Sequence, residues 1–499
     1  MKHYLGVDIG TYETKGVIVD QGGRIVASAA RPHQMLVPQP GWAEHRPDED
    51  WWGDFVYVTG KMLADSRIAP GSIAAIGTSA IGPCMLPVDR DGAPLMNGVL
   101  YGIDTRAAEE IDTLTQRIGV DTLIEQCGNA LTSQSVGPKI LWLKNKRPEL
   151  FARTHKVLTS TSYLVHRLTG RFVIDHYSAA NSSPLYLPDR LAYSDALAND
   201  IIALDKLPEP VWTTDIAGTV TQRAAEETGL AAGTPVIAGT IDAAAEALSV
   251  GVLKPGDMML MYGSTIFIIE ITPKRIADGR LWYAPWLFPG QHASMSGLAT
   301  SGTLTHWFRQ QFARELDPET AVVTLTKEAE KSPPGAKGLV VLPYFSGERT
   351  PIHDPRAKGM IFGLNLTHER GDLFRALLEG IACGTNHIFE TYADVGQEPA
   401  RIYAVGGGTK NRVWAQATSD ISGRPQIVRE KTIGASYGDA FLAAMAVGDA
   451  KAADIEQWNP VATTFTPDPA LRDRYGKLYK IFRDLYPATR KDMAALDSI

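Results

Sequence analysis

The residues best suited to chemistry in this sequence are two aspartates and three short glycine turns. Near the start, Gly6-Val7-Asp8-Ile9-Gly10-Thr11 puts a carboxylate at the end of an apolar run, beside a turn whose backbone N–H groups are free. Such a turn can cradle phosphate oxygens, and the carboxylate can hold a water or hydroxyl around a Mg²⁺ that also touches phosphate. The competing reading is a plain hairpin in which Asp8 bonds its own backbone. Gly263-Ser264-Thr265 is a second turn of this kind, and Gly406-Gly407-Gly408-Thr409, ahead of a helical stretch, is a third. There the glycines let a flat ligand or a phosphate approach the backbone. Asp242 follows an apolar strand and directly precedes an Ala-rich helix. It reads either as a general base that takes a proton from an attacking hydroxyl, its charge favoured by the helix dipole, or as a helix N-cap. Two common nucleotide signatures are excluded. The third glycine of a G-x-G-x-x-G fingerprint would fall on Asn411, and no G-x-x-x-x-G-K-[ST] loop occurs.

Strands and helices must position these residues. The first thirty residues alternate apolar runs with turn signals and predict a three-stranded meander. Amphipathic helices are expected over Asp50 to Leu63 and Asp104 to Thr115, with a short strand at Ile73 to Gly77. Pro235 to Ala238 reads as a strand leading through Asp242 into the helix Ala243 to Leu248, and the Lys254-Pro255-Gly256 turn closes this half. Met258 to Met261 and Ile266 to Ile271 then repeat the strand-turn-strand plan of residues 4 to 20. Two halves with the same opening suggest a duplicated core around a cleft, with domains over 1–251 and 252–499. Further on come a strand at Leu339 to Pro343, a helix from about Asp372 to Tyr392, another from about Asn411 to Ser422 and a helical, charged tail. The interleaving places the chain in the α/β class.

Composition narrows the function. At 499 residues, with 44% hydrophobic and 21% charged residues, the chain is globular and too long for one core. A net charge of -7 without long Lys/Arg blocks argues against nucleic acid as a partner. The most apolar stretch, Met258 to Ile271, is shorter than a bilayer span and contains Tyr, Gly, Ser and Glu, so no membrane partner is expected. Cys84, Cys127 and Cys383 lie far apart and form neither a disulfide framework nor a metal cluster. With no secretory signal ahead of the first strand, the expected location is the cytoplasm. Trp42, Trp51, Trp52, Tyr57 and Tyr101 are candidates to wall a sugar pocket, although aromatics are more often core.

Taken in order, these segments resemble the FGGY family of carbohydrate kinases over nearly the whole chain. Gly6 to Thr11 with Thr14-Lys15 looks like the family's first phosphate motif, and Gly41-Trp42-Ala43-Glu44 with Pro47 like its following loop. Pro138 to Leu143 is similar to its first signature. Gly239 to Ala245 resembles the segment with the catalytic aspartate, here Asp242. Ser346-Gly347-Glu348-Arg349-Thr350-Pro351, Gly363-Leu364 and Ala376 to Gly380 resemble the second signature region. Val405 to Gly408 with Asn411, Trp414 and Gln416 looks like its adenosine motif.

The resemblance implies two actin-like (ribonuclease H-like) ATPase domains, each on a mixed five-stranded sheet, with ATP and sugar meeting in the interdomain cleft. It implies phosphorylation of a small sugar, pentulose-like ketose or polyol by MgATP, with Asp8 toward the metal. It places Asp8, Gly10, Thr11, Thr14, Lys15, Gly263, Ser264, Thr265, Gly302, His306, Gly406, Gly407 and Asn411 near the nucleotide. Ile81, Gly82, Pro83, Tyr101, Asp104, Arg106 and Asp242 are expected at the substrate. This chain departs from the family in three places. Ile81-Gly82-Pro83 stands where xylulokinases have Gln-Met-His, Ala243 follows the aspartate where relatives carry Asn or Gln, and Gly102 replaces the Trp of Trp-x-Asp-x-Arg. A less polar pocket is therefore expected. Homodimers are common in the family, so a homodimer is an open expectation. The fold alone also suits an actin-like nucleotide switch, which has no need of a base at Asp242.

Overall fold

Around Gly10 the chain folds back into two antiparallel strands, β1 (His3–Ile9) and β2 (Glu13–Asp20), in the computed structural model, which describes residues 1–498. The Gly10 N–H closes the turn on the Glu13 carbonyl at 2.9 Å. Strand β3 (Ile25–Pro32) completes the meander on β2, and β4 (Ile73–Ala80) joins β1 in parallel, with Ser79 in register with Asp8. Strands β5 (Ile216–Thr219), β6 (Pro235–Ile237) and β7 (Thr240–Ile241) complete a mixed sheet of order β5-β6-β4-β1-β2-β3, with β7 also on β4. From β7 the chain turns directly into helix α1 (Asp242–Ser249).

The plan then repeats. Strands β8 (Asp257–Tyr262) and β9 (Ile266–Thr272) form the hairpin around Gly263-Ser264-Thr265. Strands β10 (Trp282–Pro285) and β11 (His292–Leu298) follow, then helices α2 (Gly302–Phe312), α3 (Ala321–Lys331) and α4 (Arg370–Asp394). Strand β12 (Arg401–Val405) leads through the third glycine turn into α5 (Arg412–Ser422), and β13 (Gln426–Arg429) into α6 (Ala435–Ala446). With β14 (Val461–Phe465) the second sheet runs β10-β11-β9-β8-β12-β13-β14.

Each sheet has seven strands, not the five expected. The repeated core is five strands, β3-β2-β1-β4-β6 matching β11-β9-β8-β12-β13. Antiparallel β5 and β14 cover the edges of β6 and β13, β10 extends the opposite edge of the second sheet, and β7 extends the first beside β4. Short added strands are a common way to cover sheet edges that would otherwise offer unpaired backbone groups.

Helix α6 comes from the second half of the chain but packs on the first sheet. Gly6 and Gly77 are register partners on β1 and β4, and their missing side chains make the seat. A Cβ on Gly6 would lie 1.9 Å from the Ser436 carbonyl oxygen, and one on Gly77 2.2 Å from that of Asp439. One hydrophobic cluster consequently runs through Tyr4, Val17 and Ala75 of the first sheet, Leu248 and Phe441 of the two helices, and Met259, Ile269 and Tyr403 of the second sheet. Between β4 and β5 an insertion of short helices, including Val120–Cys127 and Val136–Lys146, forms a further wall. Among the described residues no helix is long and apolar enough to cross a membrane.

Candidate active site

The β7–α1 junction points Asp242 into a cavity of about 280 Å³. Its carboxylate is half-buried and its Oδ1 accepts from the Ala243 N–H at 2.7 Å. Ile241, not Asp242, occupies the N-cap position, and it makes no side-chain cap bond. The helix amide favours the ionised form, as the sequence suggests, but burial is the larger effect and Glu246 adds to it. The Asp242 carboxyl is raised to about 7. A carboxyl with that value is poised to take a proton near neutral pH.

Asp8 sits at the end of β1. Ser79 Oγ lies 3.3 Å from Asp8 Oδ1 and donates at 2.7 Å to Oδ2 of the fully buried Asp439 on α6. Burial, then the charges of Asp242 and Glu246, push the Asp8 carboxyl well above the usual carboxylate range, against the pull of Ser79 and Lys15. Four acidic side chains therefore gather here with Lys15 as the cation that acts on Asp8 and Glu246. This deficit of positive charge suits a divalent ion. No group of three His, Cys, Asp or Glu side chains among the described residues forms a ready-made metal site, so such an ion fits best as one delivered with phosphate.

The β1–β2 turn is held from beneath by two histidines. His33 reaches the Gly10 carbonyl at 3.0 Å and Asp54 at 2.8 Å. Trp51 Nε1 donates to His45 Nδ1 at 3.1 Å, so the other ring nitrogen carries the hydrogen and donates to the Thr11 carbonyl at 3.1 Å. Burial, then His33, lowers His45 to about 4 and keeps it neutral. These bonds occupy turn carbonyls and leave Thr11 on the cavity wall, its Oγ1 3.1 Å from the Tyr101 hydroxyl.

Of the residues expected at the substrate, Ile81, Gly82, Pro83, Tyr101 and Asp242 line this cavity. Asp104 and Arg106 do not. Asp104 is fully buried and accepts the Ala43 N–H at 2.7 Å, while Arg106 pairs with Asp104 and Glu44 beneath Trp42, 3.8 Å from its ring. They brace the loop that carries Tyr101. Thr14 is also displaced from its expected role, being buried beneath the turn with its hydroxyl on Asp54. Lys15 pairs with Glu13 at 3.3 Å. Of the five aromatics the sequence offered as walls, only Tyr101 reaches the cavity: Trp42, Trp51 and Trp52 are core or bracing groups and Tyr57 is on the surface.

The sequence reading did not single out the polar groups that line the rest of the wall. Asn129, Thr132, Gln134 and Ser135 come from the helical insertion, and Asn181 and Ser183 from the segment after Asp175. The pocket is accordingly mixed, with these polar groups facing an apolar side of Tyr177, Phe267, Trp282 and Met295. Asn129 also exchanges two hydrogen bonds of 2.8 Å with the Tyr283 backbone, tying the first half to the second beside the cavity.

A second cavity, of about 650 Å³, brings together Gly263, Ser264, Gly302, His306, Gly407 and Asn411. Gly406 does not line it but sets the turn that leads to Gly407, adopting φ 89° with the Tyr262 backbone so close that a Cβ would lie 2.7 Å from its oxygen. Asn411 is the N-cap of α5. Its Oδ1 accepts from Trp414 N–H at 3.2 Å, while its buried Nδ2 and the Trp414 indole N–H have no partner among the described residues. These donors and the exposed His306 suit a heteroaromatic base with acceptor atoms. The turn at 263–265 lies between the cavities, because Ser264 lines the second and the next residue, Thr265, lines the first.

Comparison with known proteins agrees with this geometry. The N-terminal domain of the FGGY family of carbohydrate kinases matches residues 3–249, and its C-terminal domain matches residues 258–447. A xylulose kinase of Bacillus subtilis is 28% identical, the match covering 100% of this chain and 99% of that protein. A gluconokinase of the same organism is 26% identical over 97% of this chain and 95% of its own. The crystal structure of xylulose kinase from Rhodospirillum rubrum superposes with a TM-score of 0.92 at 31% identity, covering 99% of this chain and 100% of that one.

Proposed function

The chain belongs to the FGGY family of carbohydrate kinases, and from that premise we propose that it transfers the γ-phosphoryl group of MgATP to a hydroxyl of a pentulose-like ketose or polyol. The observation that carries this reading is the partition at Ser264-Thr265. A cavity suited to a nucleotide and a cavity holding Asp242 meet at adjacent residues of one glycine turn.

Phosphoryl transfer asks a protein mainly for positioning and for charges that match those developing in the transition state. The adenine and ribose occupy the cavity of Gly407, Asn411 and His306, and the phosphates run past Ser264 toward Thr265 and Thr11. Asp242 takes the proton of the attacking hydroxyl, which Gln134 Nε2 and Asn181 Oδ1 hold by hydrogen bonds, while Asn129, spent on the Tyr283 backbone, shapes the wall. Asp8 would be the residue to hold Mg²⁺, and the ion would supply charge neutralisation to the phosphates. Closure of the two-sided cavity around the sugar would exclude water, the competing acceptor. Three free, buried cysteines suit action in the reducing cytoplasm.

The test is ADP release with MgATP over a panel of ketopentoses, tetruloses, polyols and aldonates. One compound should raise ADP release in the wild type and leave the Asp242→Asn variant flat. Equal turnover by both would remove Asp242 from its role, and no stimulation by any compound would count against the acceptor class.

A further inference from the structure

Among the residues that line the Asp242 cavity, only Asp242 and Arg349 are charged. The two come from different halves of the chain. Asp242 opens α1, and Arg349 sits in the loop after Tyr344, held against the end of β11. The hold on that loop is extensive. Glu348 Oε1 accepts from the Ala299 N–H at 2.6 Å and the Arg349 N–H at 2.7 Å. Glu348 and Asp354 exchange two backbone bonds of 2.9 and 3.0 Å, and the Thr350 N–H reaches the Gly297 carbonyl at 3.2 Å. The backbone of Arg349 is thus fixed while its side chain is left free.

Its place sets it apart: Arg67, Arg90 and Arg153 are also exposed and unpaired among the described residues, but Arg349 is the cation in the wall of this cavity. The Arg349 guanidinium has no hydrogen bond or ion pair among the described residues; it acts only at a distance on Glu348, which is itself buried. Arg349 is exposed at the edge of the cavity, and a five-donor fork without a partner there is matched to an anion with several oxygens. The neutral amides and hydroxyls around it suit the hydroxyls of a sugar, which leaves the phosphoryl group as the anion that arrives in this cavity. Asp242 becomes neutral as it takes the proton, so no carboxylate of the cavity wall would then compete for the fork.

We propose that Arg349 is a catalytic residue that binds the phosphoryl group in transit between ATP and the sugar, reaching across from the second half to the wall that carries Asp242. This rests on the kinase reading above, and its test separates the two. Titrations of Mg²⁺ and ADP, with and without aluminium fluoride as a mimic of the transferring phosphoryl group, are compared for wild type, Arg349→Lys and Arg349→Met. Wild type should bind Mg-ADP at least about tenfold more tightly with the fluoride, as a site complementary to the transition state must. Arg349→Met should lose that gain while binding Mg-ADP within about threefold of wild type, and Arg349→Lys should recover part of it, lacking the fork. Failure of the wild type to bind Mg-ADP would sink the kinase reading itself. A full fluoride gain in Arg349→Met would overturn the role of Arg349 and leave that reading standing. With the active sugar, Arg349→Met should lower kcat about 100-fold with both KM values near wild type. An unchanged kcat with a raised KM for an acidic sugar would instead make Arg349 a substrate-carboxylate contact and overturn the proposal.

Discussion

The turns at Gly10 and Gly263 occupy equivalent places in the repeated plan, yet their chemistry differs. Two residues before Gly10 stands Asp8, with Glu246 and Asp242 acting on it. Two residues before Gly263 stands Met261, within an apolar strand. The first turn is anchored by His33 and His45, whereas the second hands its residues to two cavities. Both turns offer backbone donors, but the acidic groups lie on the first side and Arg349, without an ion pair among the described residues, on the second. The repeated plan supplies two cradles of similar shape, and on the proposed reading the side chains added to them divide the labour between proton acceptance and anion binding.

Removing the acidic side should have the largest effect. Asp242→Asn should lower kcat by about 10³-fold or more, within the range general bases contribute, with KM for MgATP changed less than threefold. Asp8→Asn should cost about 10²-fold and raise the Mg²⁺ concentration needed for half-maximal rate, since Asn keeps the shape but not the charge. The asymmetry also has a pH signature. Asp242 must be ionised to act, and burial raises its carboxyl to about 7, so kcat/KM should fall roughly tenfold per unit as pH drops below 7. A limb near pH 4 would mean that another group sets the rate. A smaller effect, on stability, is expected where the halves interlock. Gly6→Val puts atoms into the Ser436 carbonyl and should cost about 3 kcal/mol, read from the shift in denaturant midpoint. On the second side, His306→Gln should change KM for ATP by less than about threefold, because His306 is exposed at the cavity rim.

Much of this arrangement was legible in the sequence because local rules govern it. Glycines between apolar runs mark Gly10, Gly263 and Gly406 as turns, and period changes mark the strands and the helix after Asp242. The helix expected over Asp104 to Thr115 starts later, at Ala108, because Asp104 is spent on Ala43 and Arg106. That same tertiary demand removes Asp104 and Arg106 from the substrate wall, which no spacing rule reveals. Asn129, Gln134 and Asn181 are scattered polar residues in an insertion without a clear period, and only the folding of that insertion onto the sheet brings them to Asp242. Asp439 reads as one position of an Ala-rich helix until the Gly6–Gly77 seat delivers it to Ser79. Arg349 had a signal, lying within a Gly-Glu-Arg loop shortly after a strand, but its lack of a partner is visible only in three dimensions.

The seat of α6 bears on how the polypeptide can be divided. A fragment ending at residue 251 would contain the first sheet entire, yet the groove over Gly6 and Gly77 and the apolar faces of Tyr4 and Ala75 would be bare to water. Its complement would carry α6 with no surface to rest on. The two pieces are therefore complementary fragments, each completing the other's core, and co-expression should yield soluble protein where either piece alone aggregates.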